Sequence, residues 1–450
     1  MNIPTSSTRR TAHASALIPF GIFLVFYFGL SLYWGDFYKV PMPVAFIVAA
    51  AAAFFLNKSV KLKDKIEIFA QGMGDIDIMM MCFIFILAGA FAKTANEMGA
   101  VKATVNIAMT FIPSHLLIIG LFFVSCFISI SIGTSVGTIA ALTPIAMGFV
   151  MEAHLSGALC LGSVIGGAMF GDNLSMISDT TIAATRTQKV GMDQKFKENI
   201  YVVIPAVVLT TIAYLFFNQQ ISIEQKTTIA AVDWVKLIPY IVVLILAISG
   251  KNVMAVLMIG TLIAGIIGMV YHVFDFSGFL SAMGAGALSM SETLIVALLS
   301  GGLLRIVRYN GGIEYLLEKI EKHIHGTKGG EMGIAALLAA VNIFTANNTV
   351  AIVIVGPVAH DISKKYHIRP SRTASILDTT SCIVQGMLPY GAQVLVAIGL
   401  ATQMNYKISA MTVISYLWYP YFLALIMILS ISFGYPKRLN KSKVKTAEEQ

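Results

Sequence analysis

Long apolar runs follow one another along almost the whole of this 450-residue chain, and no other feature limits its fold as tightly. A helix needs about 20 apolar residues to cross a hydrocarbon core of about 30 Å. No water reaches that core to satisfy backbone N–H and C=O groups, so only helices and closed barrels span it. The runs are continuous rather than alternating, which selects helices. With 57% hydrophobic and 12% charged residues, the chain reads as an all-α polytopic membrane protein. Cys82, Cys126, Cys160 and Cys382 stand singly in apolar segments, so buried thiols are expected rather than a disulfide or a metal site. Arg9 and Arg10 precede a first run that no small-residue cleavage site closes, which predicts an uncleaved first crossing.

About ten transmembrane helices are expected, at 16–34, 42–56, 77–92, 157–185, 200–217, 235–249, 253–274, 291–307, 373–402 and 410–433. Two further apolar stretches, 114–150 and 331–360, are too long and too interrupted for one helix. Gly133-Thr134-Ser135-Val136-Gly137-Thr138 and Thr345-Ala346-Asn347-Asn348-Thr349 stand at their centres, so both read as re-entrant helical hairpins with irregular tips lining a cavity. An even number of crossings places both termini on one side. With the termini in the cytoplasm, 25 of the 31 Lys and Arg residues fall inside, the bias that positive-inside topology requires. Residues 308–330 read as an amphipathic surface helix and 437–450 as a basic-then-acidic tail.

The halves echo each other. Ala16-Leu-Ile-Pro19 resembles Lys236-Leu-Ile-Pro239, Leu142-Thr-Pro144-Ile-Ala146 resembles Val355-Gly-Pro357-Val-Ala359, and Gly167-Ala-Met169-Phe resembles Gln385-Gly-Met387-Leu. The expected organisation is a first repeat over 1–217, an external linker at 218–234, a second repeat over 235–433 and a cytoplasmic tail at 434–450. Five crossings per half make the second repeat inverted relative to the first, a recurrent plan among secondary transporters. Each repeat then holds one hairpin (114–150, 331–360) and one broken helix (157–185, 373–402).

The candidate site lies in Gly166-Gly167-Ala168-Met169-Phe170-Gly171-Asp172-Asn173-Leu174-Ser175-Met176-Ile177-Ser178-Asp179-Thr180-Thr181. An aspartate at membrane depth costs about 2.5–3.5 kcal/mol on insertion scales and marks an ion or substrate route. Gly166, Gly167 and Gly171 are expected to loosen the helix and free carbonyls as ligands. Asp172, Asn173, Ser175, Ser178, Asp179 and Thr180 are the candidate cation and proton ligands, with Na+ held near Asp172. The alternative is that an aspartate caps a half-helix or pairs with a buried donor. The second half offers Asp378, Thr379, Thr380 and Gln385 around a break expected at Pro389, with Asp378 either a ligand or a cap. Hairpin residues Thr134, Ser135, Thr138, Asn347, Asn348 and Thr349 could face a substrate or pack against one another. Glu292, Asp75 and Asp77 read as charges at helix starts, and His323 and His325 as surface residues.

The string FGDNLSMISDTTIAAT resembles the signature of NhaC-type sodium/proton antiporters, with Gly171-Asp172, Ser175 and Ser178-Asp179-Thr180-Thr181 in matching places. Met176 stands where many members carry proline. The wider plan is similar to the ion transporter superfamily, whose dicarboxylate symporters share inverted repeats and commonly a dimeric, elevator-type mechanism. The resemblance implies a sodium-coupled secondary transporter in a bacterial cell membrane, with Na+/H+ exchange as its leading activity. Na+ and H+ would be cargo or coupling ions, with no cofactor, and the partners would be lipid, a small cation and a second copy of the chain, not nucleic acid. The competing function is Na+- or H+-coupled transport of an amino acid or small organic acid, kept open by the polar set Asn347, Asn348, Gln385 and Gln393. An intramembrane aspartyl protease would need glycine where Met169 stands, no repeated pore helix suggests a channel, and no nucleotide loop or nucleophile elbow suggests an enzyme.

Overall fold

The computed structural model describes residues 13–434 except 35–38, 112, 114–115, 177, 219–232, 250 and 323. The expected external linker and C-terminal tail fall almost wholly outside the described residues, as do Arg9, Arg10 and His323. Every regular element among the described residues is helical.

The first half begins with α1 (Ala14–Trp34), which contains a π-helical turn at Val25–Gly29, and α2 (Met42–Phe55). A short amphipathic α3 (Leu62–Met73) follows, and its Lys65 ammonium reaches back to the carbonyls of Phe54 and Leu56 at the end of α2. Next come α4 (Ile76–Met98), capped by the Asp75 side chain, and α5 (Ala100–Phe111). Then α6 (Leu117–Ile132) turns through Gly133 into α7 (Ser135–Glu152), α8 (Gly157–Leu174) breaks before α9 (Asp179–Gln188), and α10 (Met192–Asn218) closes the half.

The second half runs α11 (Ile238–Ile248), α12 (Val253–Val270), α13 (Phe276–Ser289), α14 (Ser291–Tyr309) and α15 (Gly312–Glu321). It continues through α16 (Gly326–Thr345), α17 (Asn348–Lys365), α18 (Pro370–Met387), α19 (Ala392–Gln403), a short α20 (Ala410–Ile414) and α21 (Trp418–Phe433). Among the described residues, six spans are long and apolar enough to cross a membrane, counting α18 with α19 as one; α13 and α14 meet both conditions only together, across a 40° bend, and α2, α6, α11 and α21 are shorter apolar helices. Sequence reading left 62–73, 100–111 and 276–289 without an element. The first is short and rich in Lys, Asp and Glu, and the last is built of Gly, Ala and Ser, so neither stands out as an apolar run.

The order of elements in α11–α21 repeats that of α1–α10, with α20 added. From the hairpins to the broken helices the two halves keep one register: Ser135 aligns with Asn348, Pro144 with Pro357, Gly157 with Pro370 and Asp179 with Ala392. One tertiary hydrogen bond recurs in it. Ser129 Oγ donates to the Ala168 carbonyl at 2.6 Å and Asn342 Nδ2 to the Ser381 carbonyl at 3.0 Å, each across 39 residues. The sequence pairing of Gly167 with Gln385 is out of this register, because Gln385 falls opposite Asp172; what the two stretches share is a small residue before methionine, Ala168-Met169 and Gly386-Met387.

Two helix crossings also match. Helix α3 meets α14 at Gly72 and Gly301, and α4 meets α13 at Gly89 and Gly286. A Cβ on any of these four glycines would press on the partner glycine's carbonyl oxygen, so each pair lets two backbones touch.

Candidate functional site

The glycines of α8 do not break it. Helix α8 is continuous through Gly166, Gly167 and Gly171, and a Cβ at Gly167 or Gly171 would strike α6 at Phe122, Ser125 or Ser129. They are there for close packing. The break comes later, at Ser175 and Ser178, whose ψ values of 136 and 139° are extended. No proline is needed, because side chains satisfy the carbonyls released at the end of α8. Asn173 O accepts from Lys195 Nζ at 2.7 Å and Asn199 Nδ2 at 2.8 Å, and Asp172 O accepts from Thr180 Oγ1 at 3.4 Å. Across the gap, Thr181 Oγ1 donates to Ser175 O at 2.8 Å, while Ser175 Oγ donates to Ile130 O.

Asp172 thus stands in the last turn of α8 and Asp179 in the first turn of α9. The Asp172 carboxylate is 5% exposed and accepts the Ser135 backbone N–H at 3.0 Å. Ser135 opens α7, so the carboxylate lies at the positive end of a helix dipole. The carboxylate therefore sits on a helix start, as the capping alternative has it, and the same residue lines a cavity.

That cavity has a volume of about 260 Å³. It gathers Asp172, Ser178, Asp179 and Thr180 from the first break, Gly133, Thr134 and Ser135 from the first hairpin, and Asn347, Asn348 and Thr349 from the second. Gln393, Asn252 and the apolar Met80, Met81 and Ile84 complete most of the wall. Asp77 lines it too. Sequence reading assigned Asp77 to a helix start, which it does occupy; only the packing of α4 against the broken helices shows that this start opens on the cavity. A smaller cavity of about 60 Å³ continues past Asp77 and Asn347 to Asp75, Arg305 and Arg308.

The remaining candidates lie elsewhere. Thr138 is fully buried and hydrogen-bonds Thr134 O within α7, and Asn173, Ser175, Asp378, Thr379, Thr380 and Gln385 do not line the cavity. Gln385 joins the two hairpins instead. Its amide donates to Ala346 O at 2.8 Å and to Gln393 Oε1 at 3.0 Å, and Gln393 Nε2 donates to Ser135 Oγ at 3.0 Å. The chain Asp172–Ser135–Gln393–Gln385–Ala346 therefore crosses from one half to the other.

Asp378 has a charged partner that sequence reading placed in a loop. Lys195, in the first turn of α10 and 1% exposed, lies 2.5 Å from Asp378 Oδ2 and also donates to Thr181 Oγ1 at 2.8 Å. Asn199, one turn on, donates to Asp378 Oδ2 at 3.1 Å, and Thr379 Oγ1 lies 3.4 Å from Asn173 Oδ1. Counting charges by loop put Lys195 in the cytoplasm because it adjoins Arg186, Lys189 and Lys197 in sequence. The signal that could have found it is spacing: Lys195 and Asn199 sit four apart at the head of an apolar helix and share one face.

The Na+/H+ antiporter family model matches residues 11–219 and 220–437, two stretches that divide within the segment between α10 and α11. The chain is 24% identical over 438 residues to the Na(+)/H(+) antiporter NhaC of Bacillus subtilis, covering 89% of this chain and 92% of that protein. It is 23% identical over 457 residues to the malate-2H(+)/Na(+)-lactate antiporter of the same organism, covering 93% of each. Among solved structures, Neisseria gonorrhoeae MtrF covers 92% of this chain and 94% of its own at 11% identity, with a TM-score of 0.40. Matched over both halves, the chain belongs to the Na+/H+ antiporter family.

Proposed function

We propose that this protein is a sodium-coupled secondary transporter that exchanges Na+ for H+ by alternating access. The observation that carries the reading is the buried Asp172 carboxylate facing a cavity whose wall also supplies Asp179, Asp77 and the hydroxyls of Ser178, Thr180 and Thr134. Na+ is a hard cation that takes carboxylate, hydroxyl and carbonyl oxygens, often where a helix is interrupted. A desolvated carboxylate is stable only when paired, and one that takes either a proton or Na+ couples the two ions by mutual exclusion. The conserved register of elements supports two repeats of opposite orientation, and the lysine and arginine bias supports cytoplasmic termini. On that orientation Asp77 and Asn252, which line the cavity, stand at the cytoplasmic ends of α4 and α12.

Purified protein in proteoliposomes should alkalinise or acidify the lumen when a Na+ gradient is imposed, with the sign following the gradient. Raising the proton concentration should raise the apparent KM for Na+. A lumenal pH that ignores the Na+ gradient would refute the exchange.

A second reading rests on a specific observation. Asn347, Asn348 and Gln393 line the same cavity, which is roomier than one ion needs, and one similar protein is named for malate and lactate. Saturable, Na+-stimulated uptake of an organic acid or amino acid by the same vesicles would favour that reading over bare ion exchange.

A further inference from the structure

Behind Asn173 a second group of oxygens already surrounds a positive charge, and that charge belongs to the protein. The Lys195 ammonium has three N–H donors, and the three oxygens that take them are a carbonyl (Asn173), a hydroxyl (Thr181) and a carboxylate (Asp378). Those are the ligand types a small hard cation uses. The group is more oxygen-rich than an ammonium requires. Asp378 Oδ1 and Asn199 Oδ1 are both buried with no hydrogen-bond donor among the described residues, the Asn199 amide being turned so that its nitrogen faces Asn173 and Asp378. The fold itself does not demand a charge here, because the level of α8 in register with Asp378 holds Ile165, fully buried.

Charge in the dry core supplies the rest of the argument. Asp172, Asp378 and Lys195 are all at most 5% exposed, and their formal charges sum to minus one, which a single monovalent cation balances. Asp179 is exposed and Asp77 half-buried, so water screens both. We propose that the cage of Asn173 O, Thr181 Oγ1, Asp378 and Asn199 is a second monovalent-cation site, filled from within by the Lys195 ammonium, so that Lys195 sets how many Na+ ions the chain binds. The inference rests on the antiporter reading for the identity of the ion, not for the existence of the cage.

Equilibrium binding of radioactive sodium to purified, monodisperse protein tests it. The wild type and Lys195→Arg should each bind one Na+ per chain. Lys195→Ala and the bulkier neutral Lys195→Gln should bind two, and Lys195→Ala/Asp378→Asn should return to one. A single ion of unchanged affinity in a folded Lys195→Ala or Lys195→Gln protein would overturn the proposal. The double variant Lys195→Ala/Asp172→Asn separates it from the antiporter reading. One ion should persist there, and none would defeat the second site whatever Asp172→Asn does alone.

Discussion

Asp172 holds its position by hydrogen bonding to Ser135, whose backbone N–H it accepts, and by the closeness of α8 to α6, and both can be perturbed one atom at a time. Asp172→Asn keeps the shape and can still accept from Ser135 N, but it loses the charge. Na+-dependent pH change in vesicles should fall to background while expression and monodispersity stay normal; retained exchange would remove Asp172 from the ion site. Gly171→Ala should act differently. The new methyl meets the Ser129 side chain and backbone, an overpacking that costs roughly 1–3 kcal/mol. A lower melting temperature in detergent is expected, and an unchanged one would mean the helices part freely. Asn348 lines the cavity, and its side-chain oxygen accepts from the adjacent Thr349 N–H at 3.0 Å. Asn348→Ala should leave Na+/H+ exchange largely intact; if an organic solute is the cargo, losing one buried partner costs about 1–3 kcal/mol and uptake falls up to about a hundredfold. Lys195 and Asp378 show the opposite economy, since removing one member of a buried pair strands the other at a cost of about 3–5 kcal/mol.

Among the elements, the two hairpin turns solve one geometric problem with different residues. Gly133 adopts φ 76° between α6 and α7, a conformation glycine reaches without strain. Its register partner between α16 and α17 is Ala346, at φ 46°, where a Cβ costs about 1–2 kcal/mol. Ala346→Gly should therefore hold or raise thermal stability, by up to about 1 kcal/mol after the entropy of the unfolded chain is counted, and a clear loss would show that the Ala346 methyl packs more tightly than its 8% exposure suggests. This asymmetry also marks what was legible in the sequence. Apolar runs, the polar interruptions at 133–138 and 345–349, and the signature around Asp172 can be read from residue types alone, and they carry the helical membrane class and the family. The partners of those residues cannot. Ser135 and Asp172 lie on different helices, Gln393 reaches Ser135 across 258 residues, and Lys195 pairs with Asp378 from the far half. No periodicity encodes such meetings. The glycines of α8 failed for a related reason, because a small residue in a membrane helix serves close approach as often as flexibility, and only the neighbour decides.

For the whole molecule, the orientation of the two halves remains the property with most to say about mechanism, and it is open to direct labelling. Glu152 at the end of α7 and Lys364 in the last turn of α17 are both exposed and stand in equivalent turns of the two halves. In a background lacking the four native cysteines, Glu152→Cys and Lys364→Cys should react with an impermeant thiol reagent from opposite faces of the membrane. Reaction from one face would refute the inverted arrangement. The glycine crossings carry a separate consequence. At Gly72 with Gly301 and Gly89 with Gly286, helices from the two halves meet without any side chain between them. Each half thus mortises into the other at two dovetails cut in bare backbone, and a dovetail has no tolerance. A saturation library should return four columns in which only glycine survives, arranged as two mated couples, inside helices whose outward-facing positions accept almost any oily residue.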